Sequence, residues 1–142
     1  MNSKSSFWTN TDTGLLIIRL VFAVLILFHG WYKIRYGIDM PMARMESWGI
    51  PGFLMYFAYI SEVVAPLLII VGVFSRLSVL TVFGTMVFIM YIEIRTGLSL
   101  DQFGAPNIEK QIFYFFTSAG LFFTGPGQYR AKNTGSKNWL LE

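Results

Sequence analysis

The feature that most constrains this chain is a series of long apolar stretches that are nearly free of charge. They run from about residue 14 to 34, 53 to 74, 77 to 94 and, in a shorter and more polar form, 108 to 124. A helix of about 20 apolar residues is long enough to cross the roughly 30 Å hydrocarbon core of a bilayer. In lipid, only helices and closed barrels satisfy the backbone polar groups, and these stretches are too uniformly apolar for barrel strands. The pattern predicts an all-α, membrane-embedded, antiparallel four-helix bundle.

The composition agrees with a single membrane domain that covers residues 1–142. Charged residues make up 13% of the chain, whereas soluble proteins carry about 25%. The net charge of +3 is scattered, which gives no indication of a nucleic-acid partner and leaves membrane lipid as the expected one. Cysteine is absent and His29 is the only histidine, so we expect no metal site and no intrinsic cofactor.

The connection between the first two apolar stretches, from about residue 35 to 51, is the longest of the early loops. The segment from Pro41 to Trp48 has Met42, Met45 and Trp48 at helical spacing, and it predicts a short helix at the membrane surface. Gly49 and Pro51 then indicate a turn before the second span.

Four ionisable residues lie within or at the ends of the first two spans: Arg19, His29, Lys33 and Glu62. A charge in the bilayer centre costs about 2.5–3.5 kcal/mol, so such residues usually face the interior and have partners. At 100° per residue, the first three share one stripe of their helix with Gly30. Two interpretations stay open. Arg19 and Glu62 form a structural ion pair, or all four line a ligand pocket between the first two helices, open toward the first loop.

Two further residues are expected to shape that pocket. Pro66 removes a backbone hydrogen bond and frees the carbonyl of Glu62, and Gly30 permits a close approach because it has no side chain. His29 could donate to a quinone carbonyl and pass a proton. Catalytic residues cannot be assigned from these patterns.

An ordered set of short motifs resembles the DoxX family of small four-helix bacterial membrane proteins. The set consists of Arg19 within Leu16–Leu20, His29-Gly30 followed by Lys33, Gly49-Ile50-Pro51, Glu62, Gly72–Arg76 and Gly125-Pro126-Gly127-Gln128-Tyr129. The resemblance extends from about residue 14 to 129. It implies structural motif positions at Gly30, Pro51, Arg76, Gly125, Pro126, Gly127 and Tyr129. Pro66 is a further structural position, expected from its effect on the backbone of the second span.

The resemblance implies a function linked to membrane redox chemistry. Family members look like the membrane subunit of a thiosulfate:quinone oxidoreductase, or like scaffolds that join soluble redox enzymes at the membrane. We therefore expect a quinone-linked or anchoring subunit of a redox complex in the bacterial inner membrane, with a bound quinone as cofactor. A soluble redox partner and a homo-oligomer are the expected protein partners. Whether the chain is itself an enzyme stays open; if it is, it acts through the quinone or a partner. The alternatives are a lipid- or small-molecule-binding membrane protein without redox activity and a small transporter subunit.

The orientation of the chain is only weakly specified by its charges. With Arg19 left out as intramembrane, four crossings place five Lys and Arg residues on each side of the membrane. Acidic residues are in excess on the side of the first and third loops. Acidic residues affect orientation only weakly, but this excess is the one difference between the two sides, and it favours a topology in which both termini are cytoplasmic.

Overall fold

The first apolar stretch forms one long helix, α1 (Thr11–Tyr36), in the computed structural model, which describes residues 10–131 of the chain. Asn10 caps its start, because the Asn10 side chain accepts a hydrogen bond from the Thr13 N–H at 3.2 Å. The helix ends at Gly37, where φ is +80° and the Gly37 N–H donates to the Lys33 carbonyl. The helix thus extends slightly beyond the predicted span at both ends.

Four further helices follow within the described residues: α2 (Asp39–Ser47), α3 (Gly52–Val71), α4 (Ser75–Thr96) and α5 (Glu109–Thr124). The short α2 confirms the helix predicted in the first loop. Between residues 10 and 131 extended backbone pairing is limited to one isolated bridge, between Leu100 and Pro106. The prediction of an all-α fold is confirmed.

Helix α3 is irregular along its length. It opens with a 3₁₀ turn over Gly52–Tyr56 and contains a π-helical turn over Ile60–Val64, in which the Ala65 N–H donates to the Ile60 carbonyl. Pro66 follows this turn and has no N–H to donate to the Glu62 carbonyl. The wider π-helical turn therefore coincides with the place where proline interrupts the regular hydrogen-bond pattern, and it carries Glu62.

Consecutive long helices pack antiparallel, as predicted. Gly72, at the end of α3, lies against Arg19 near the start of α1. Arg76, at the start of α4, donates to the Phe122 carbonyl near the end of α5. At the opposite end of this pair, Asn107 just before α5 donates to Glu93 near the end of α4. The shared apolar core consists of Phe22, Ala23, Ile26, Ala65, Ile69, Val79, Val82, Met86 and Leu121.

Three of the helices, α1, α3 and α4, are long and apolar enough to cross a membrane. Large apolar side chains point outward along them, and Ile17, Phe57 and Leu77 are each about half exposed or more. Such a surface suits lipid. Helix α5 has 16 residues and would rise about 24 Å, which is short for a full crossing. A fourth crossing therefore stays a prediction.

Candidate functional site

A buried ion pair links α1 to α3. The Lys33 ammonium on the last turns of α1 donates to Oε1 of Glu62, which lies in the π-helical turn of α3. The Glu62 side chain is only 5% exposed and that of Lys33 17%. Buried charges are costly unless they are paired, so this contact makes each group tolerable at this depth.

Lys33 and Glu62 both line a cavity of about 390 Å³. Helices α3 and α4 supply most of its lining, and α2 also contributes residues. Most of the walls are apolar or aromatic, contributed by Pro41, Met45, Trp48, Leu54, Met55, Phe57, Ala58, Phe88, Ile89 and Ile92. Gly84 and Thr85 of α4 also line it, as do Arg44 and Glu93. A mainly apolar cavity with a few charged groups is typical of a small-molecule site.

Gly30 fixes the level at which α1 meets α3. It is buried, and an added Cβ would lie 2.6 Å from Cγ2 of Val63 and would also overlap the Glu62 carbonyl oxygen. Gly30 was expected to permit a close approach, and the group that approaches it is the backbone of α3.

The expected Arg19–Glu62 ion pair is not formed. Arg19 is 3% exposed, and its two terminal nitrogens donate to the carbonyls of Pro126 and Tyr129, each at 2.6 Å. Its guanidinium also packs against Gly72. Arg19 therefore holds the segment after α5, whereas Lys33 is the partner of Glu62.

His29 lies apart from the ion pair. Its side chain is exposed, and its ring meets the edge of Tyr114 on α5, with ring centroids 6.3 Å apart. It is not among the residues that line the cavity. Of the four residues predicted to line one pocket, the structure brings together Lys33 and Glu62 and separates Arg19 and His29 from them. The cavity also lies mainly between α3 and α4, rather than between α1 and α3.

The remaining motif residues lie at two places. Pro51 immediately precedes α3, where its carbonyl accepts the Leu54 N–H. Gly125 and Gly127, with φ of +72° and +70°, form the turn that carries Pro126 and Tyr129 toward Arg19. Only glycine adopts such values without strain, which accounts for both residues in this turn.

Sequence reasoning missed the contributions of α2 and α4 to the cavity. The helical spacing of Met45 and Trp48 predicted α2 but did not indicate that it covers a site. Gly84-Thr85 is a small and polar interruption of an apolar span, and it is the one local signal that could have placed α4 at the cavity.

Comparison with known proteins agrees with this architecture. The chain is 27% identical over 133 residues to the inner membrane protein YqjF of Escherichia coli strain K12, and the match covers 90% of this chain and 96% of that protein. No solved structure matches the chain significantly. The family model for DoxX matches residues 14–93, which is more than half of the chain. This integral membrane protein therefore belongs to the DoxX family.

Proposed function

We propose that the protein is a quinone-binding or anchoring subunit of a redox complex in the inner membrane, and that the quinone-type ring occupies the cavity between α2, α3 and α4. The observation that supports this most directly is the Lys33–Glu62 ion pair in the lining of a mainly apolar cavity. A quinone has the matching polarity, with polar oxygens on an aromatic-sized ring and an apolar tail.

The size and lining of the cavity suit such a ligand. Its volume of about 390 Å³ falls within the range of roughly 300–1,000 Å³ that is usual for small-molecule sites. Trp48, Phe57 and Phe88 offer aromatic surface to a ring, while the Lys33 ammonium can donate to a ring oxygen. The lipid-facing helix surfaces beside the cavity would accommodate the tail.

An anionic phospholipid bound without redox activity is one alternative, and the charges at the cavity favour it less. Lys33 and Arg44 contribute two cations, and Glu62 and Glu93 contribute two carboxylates. An anionic head group therefore meets no net positive charge there. A neutral quinone ring does not need a net positive charge in order to bind.

The proposal is tested by filling the cavity from α4. A Cβ at Gly84 would meet no atom within 4 Å, so Gly84→Leu should fold while its side chain occupies ligand space. Gly14→Leu is the matched control, because Gly14 on α1 is equally open and lies outside the cavity. We expect gently purified wild-type protein to retain quinone, measured by mass spectrometry, and Gly84→Leu to retain at least about tenfold less.

Two results would contradict the proposal. One is wild-type protein that neither retains quinone nor binds added decylubiquinone. The other is an equal loss of quinone in Gly84→Leu and Gly14→Leu.

We further propose that both termini are cytoplasmic. The excess of acidic residues near the first and third loops supports this orientation. Reporter fusions after Tyr129 and within residues 99–106 measure it, and we expect a cytoplasmic signal from the first and a periplasmic signal from the second. A periplasmic signal from the fusion after Tyr129 together with a cytoplasmic signal from the fusion within residues 99–106 would reverse the proposed orientation. Periplasmic signals from both fusions would show an odd number of crossings.

A further inference from the structure

One buried acceptor of a residue that lines the cavity has no partner. Glu62 is 4% exposed, and its Oε1 is bound by Lys33, but no group among residues 10–131 donates to its Oε2. An ionised carboxylate can only accept hydrogen bonds. A buried acceptor left without a donor is costly, and most buried polar atoms in proteins have a partner.

The neighbouring hydroxyl groups are already engaged elsewhere. The Ser61 hydroxyl next to Glu62 is directed at the Phe57 and Ala58 carbonyls, and the Thr85 hydroxyl across the cavity donates to the Thr81 carbonyl. The Arg44 guanidinium lies over the Trp48 ring, 5.0 Å from its centroid. These neighbouring side chains therefore do not supply the donor, which leaves a molecule bound in the cavity that Glu62 lines to supply it.

From this arrangement we infer that the cavity selects a ligand whose polar head donates a hydrogen bond to Oε2 of Glu62. Among quinone-type carriers this is the reduced form, which bears hydroxyl groups. The inference rests on the proposed function and specifies which redox form of the carrier the site holds.

The ion pair offers a ligand both a hydrogen-bond donor and a hydrogen-bond acceptor. The Lys33 ammonium has three N–H donors, and one of them is directed at Oε1 of Glu62. A single ligand hydroxyl can accept from Lys33 and donate to Oε2. A quinone carbonyl can accept from Lys33 but leaves Oε2 unsatisfied, so it binds less well.

Wild-type protein in lipid nanodiscs tests the inference without any substitution. Isothermal titration calorimetry, with empty nanodiscs subtracted, compares decyl hydroquinone kept reduced under anaerobic conditions with its O,O-dimethyl ether, which has the same ring and tail but no donor. We expect the hydroquinone to bind at least about tenfold more tightly. Oxidised decylubiquinone should also bind more weakly than its own reduced form.

The variant Glu62→Gln supplies a second measurement. The glutamine amide brings N–H donors of its own, so the preference for the hydroquinone should fall to less than about threefold. The control Glu109→Gln, at an exposed position at the start of α5, should keep the wild-type preference. Size-exclusion profiles identify any variant that does not fold. If Glu62→Gln does not fold, the affinities of wild-type protein for the hydroquinone and for its ether test the inference alone.

The outcomes separate the two proposals. Equal affinity of wild-type protein for the hydroquinone and the ether overturns the inference and leaves quinone binding intact. A preference for the oxidised ring does the same. Failure of every ring compound to bind contradicts the proposed function, and the inference with it.

Discussion

Replacing Lys33 with methionine should lower the free energy of unfolding by about 3 kcal/mol. Breaking a buried ion pair typically costs about 3–5 kcal/mol, because the remaining charge has no partner. The lower end of that range applies to Lys33→Met, since the Lys33 side chain keeps 17% of its surface exposed. The Glu62 carboxylate, which is 5% exposed, would carry most of the cost.

A double-mutant cycle isolates this interaction. The double variant Lys33→Met/Glu62→Met should be more stable than the sum of the single changes predicts, because it leaves no buried charge. Unfolding in detergent micelles gives the four stabilities. Lys110→Met, which removes an exposed lysine at the start of α5, is the matched control and should change stability by less than about 0.5 kcal/mol. Additive single effects would show that the two charges do not interact.

Replacing Arg19 with methionine should be at least as damaging, with a loss of about 3 kcal/mol or more. Its guanidinium makes two hydrogen bonds to backbone carbonyls, and bonds from charged donors contribute about 1.5–3 kcal/mol each. Arg19→Lys should restore only part of this loss, because an ammonium lacks the planar fork that reaches both oxygens. Arg35→Met, at the exposed end of α1, is the matched control.

The two charged centres should behave independently. Arg19 is bonded to Pro126 and Tyr129, whereas Glu62 is bonded to Lys33, so Arg19→Met and Glu62→Met should add within about 0.5 kcal/mol. A coupling of 1 kcal/mol or more would instead support a direct Arg19–Glu62 contact.

The fold was predictable because its signals are local. Hydropathy placed the long helices within a few residues, and Gly37, Gly72 and Gly125 end helices at positive φ where the sequence offers a glycine. The crossing of α5 was not settled, because a 16-residue helix lies near the lower limit of what spans a bilayer.

The site was predictable only in part, because helical periodicity gives the angle of a residue around its own helix and not the level at which two helices meet. That level depends on the contact of Gly30 with the Glu62 carbonyl, which places Lys33 rather than Arg19 beside Glu62. The partners of Arg19 could not be predicted from the sequence for another reason. They are backbone carbonyls, which every residue has, so no side chain in the sequence marks them.

The bonds of Arg19 have a consequence for biosynthesis. Pro126 and Tyr129 follow Arg19 by 107 and 110 residues, so the ribosome adds more than 100 residues after Arg19 before either carbonyl exists. Throughout that time the first span holds a cation in the bilayer without its final partners. The Gly125–Tyr129 turn can pack against α1 only after those residues have been made. A nascent chain released before this turn would keep its apolar helices. It would lack the two hydrogen bonds that stabilise the buried guanidinium of Arg19.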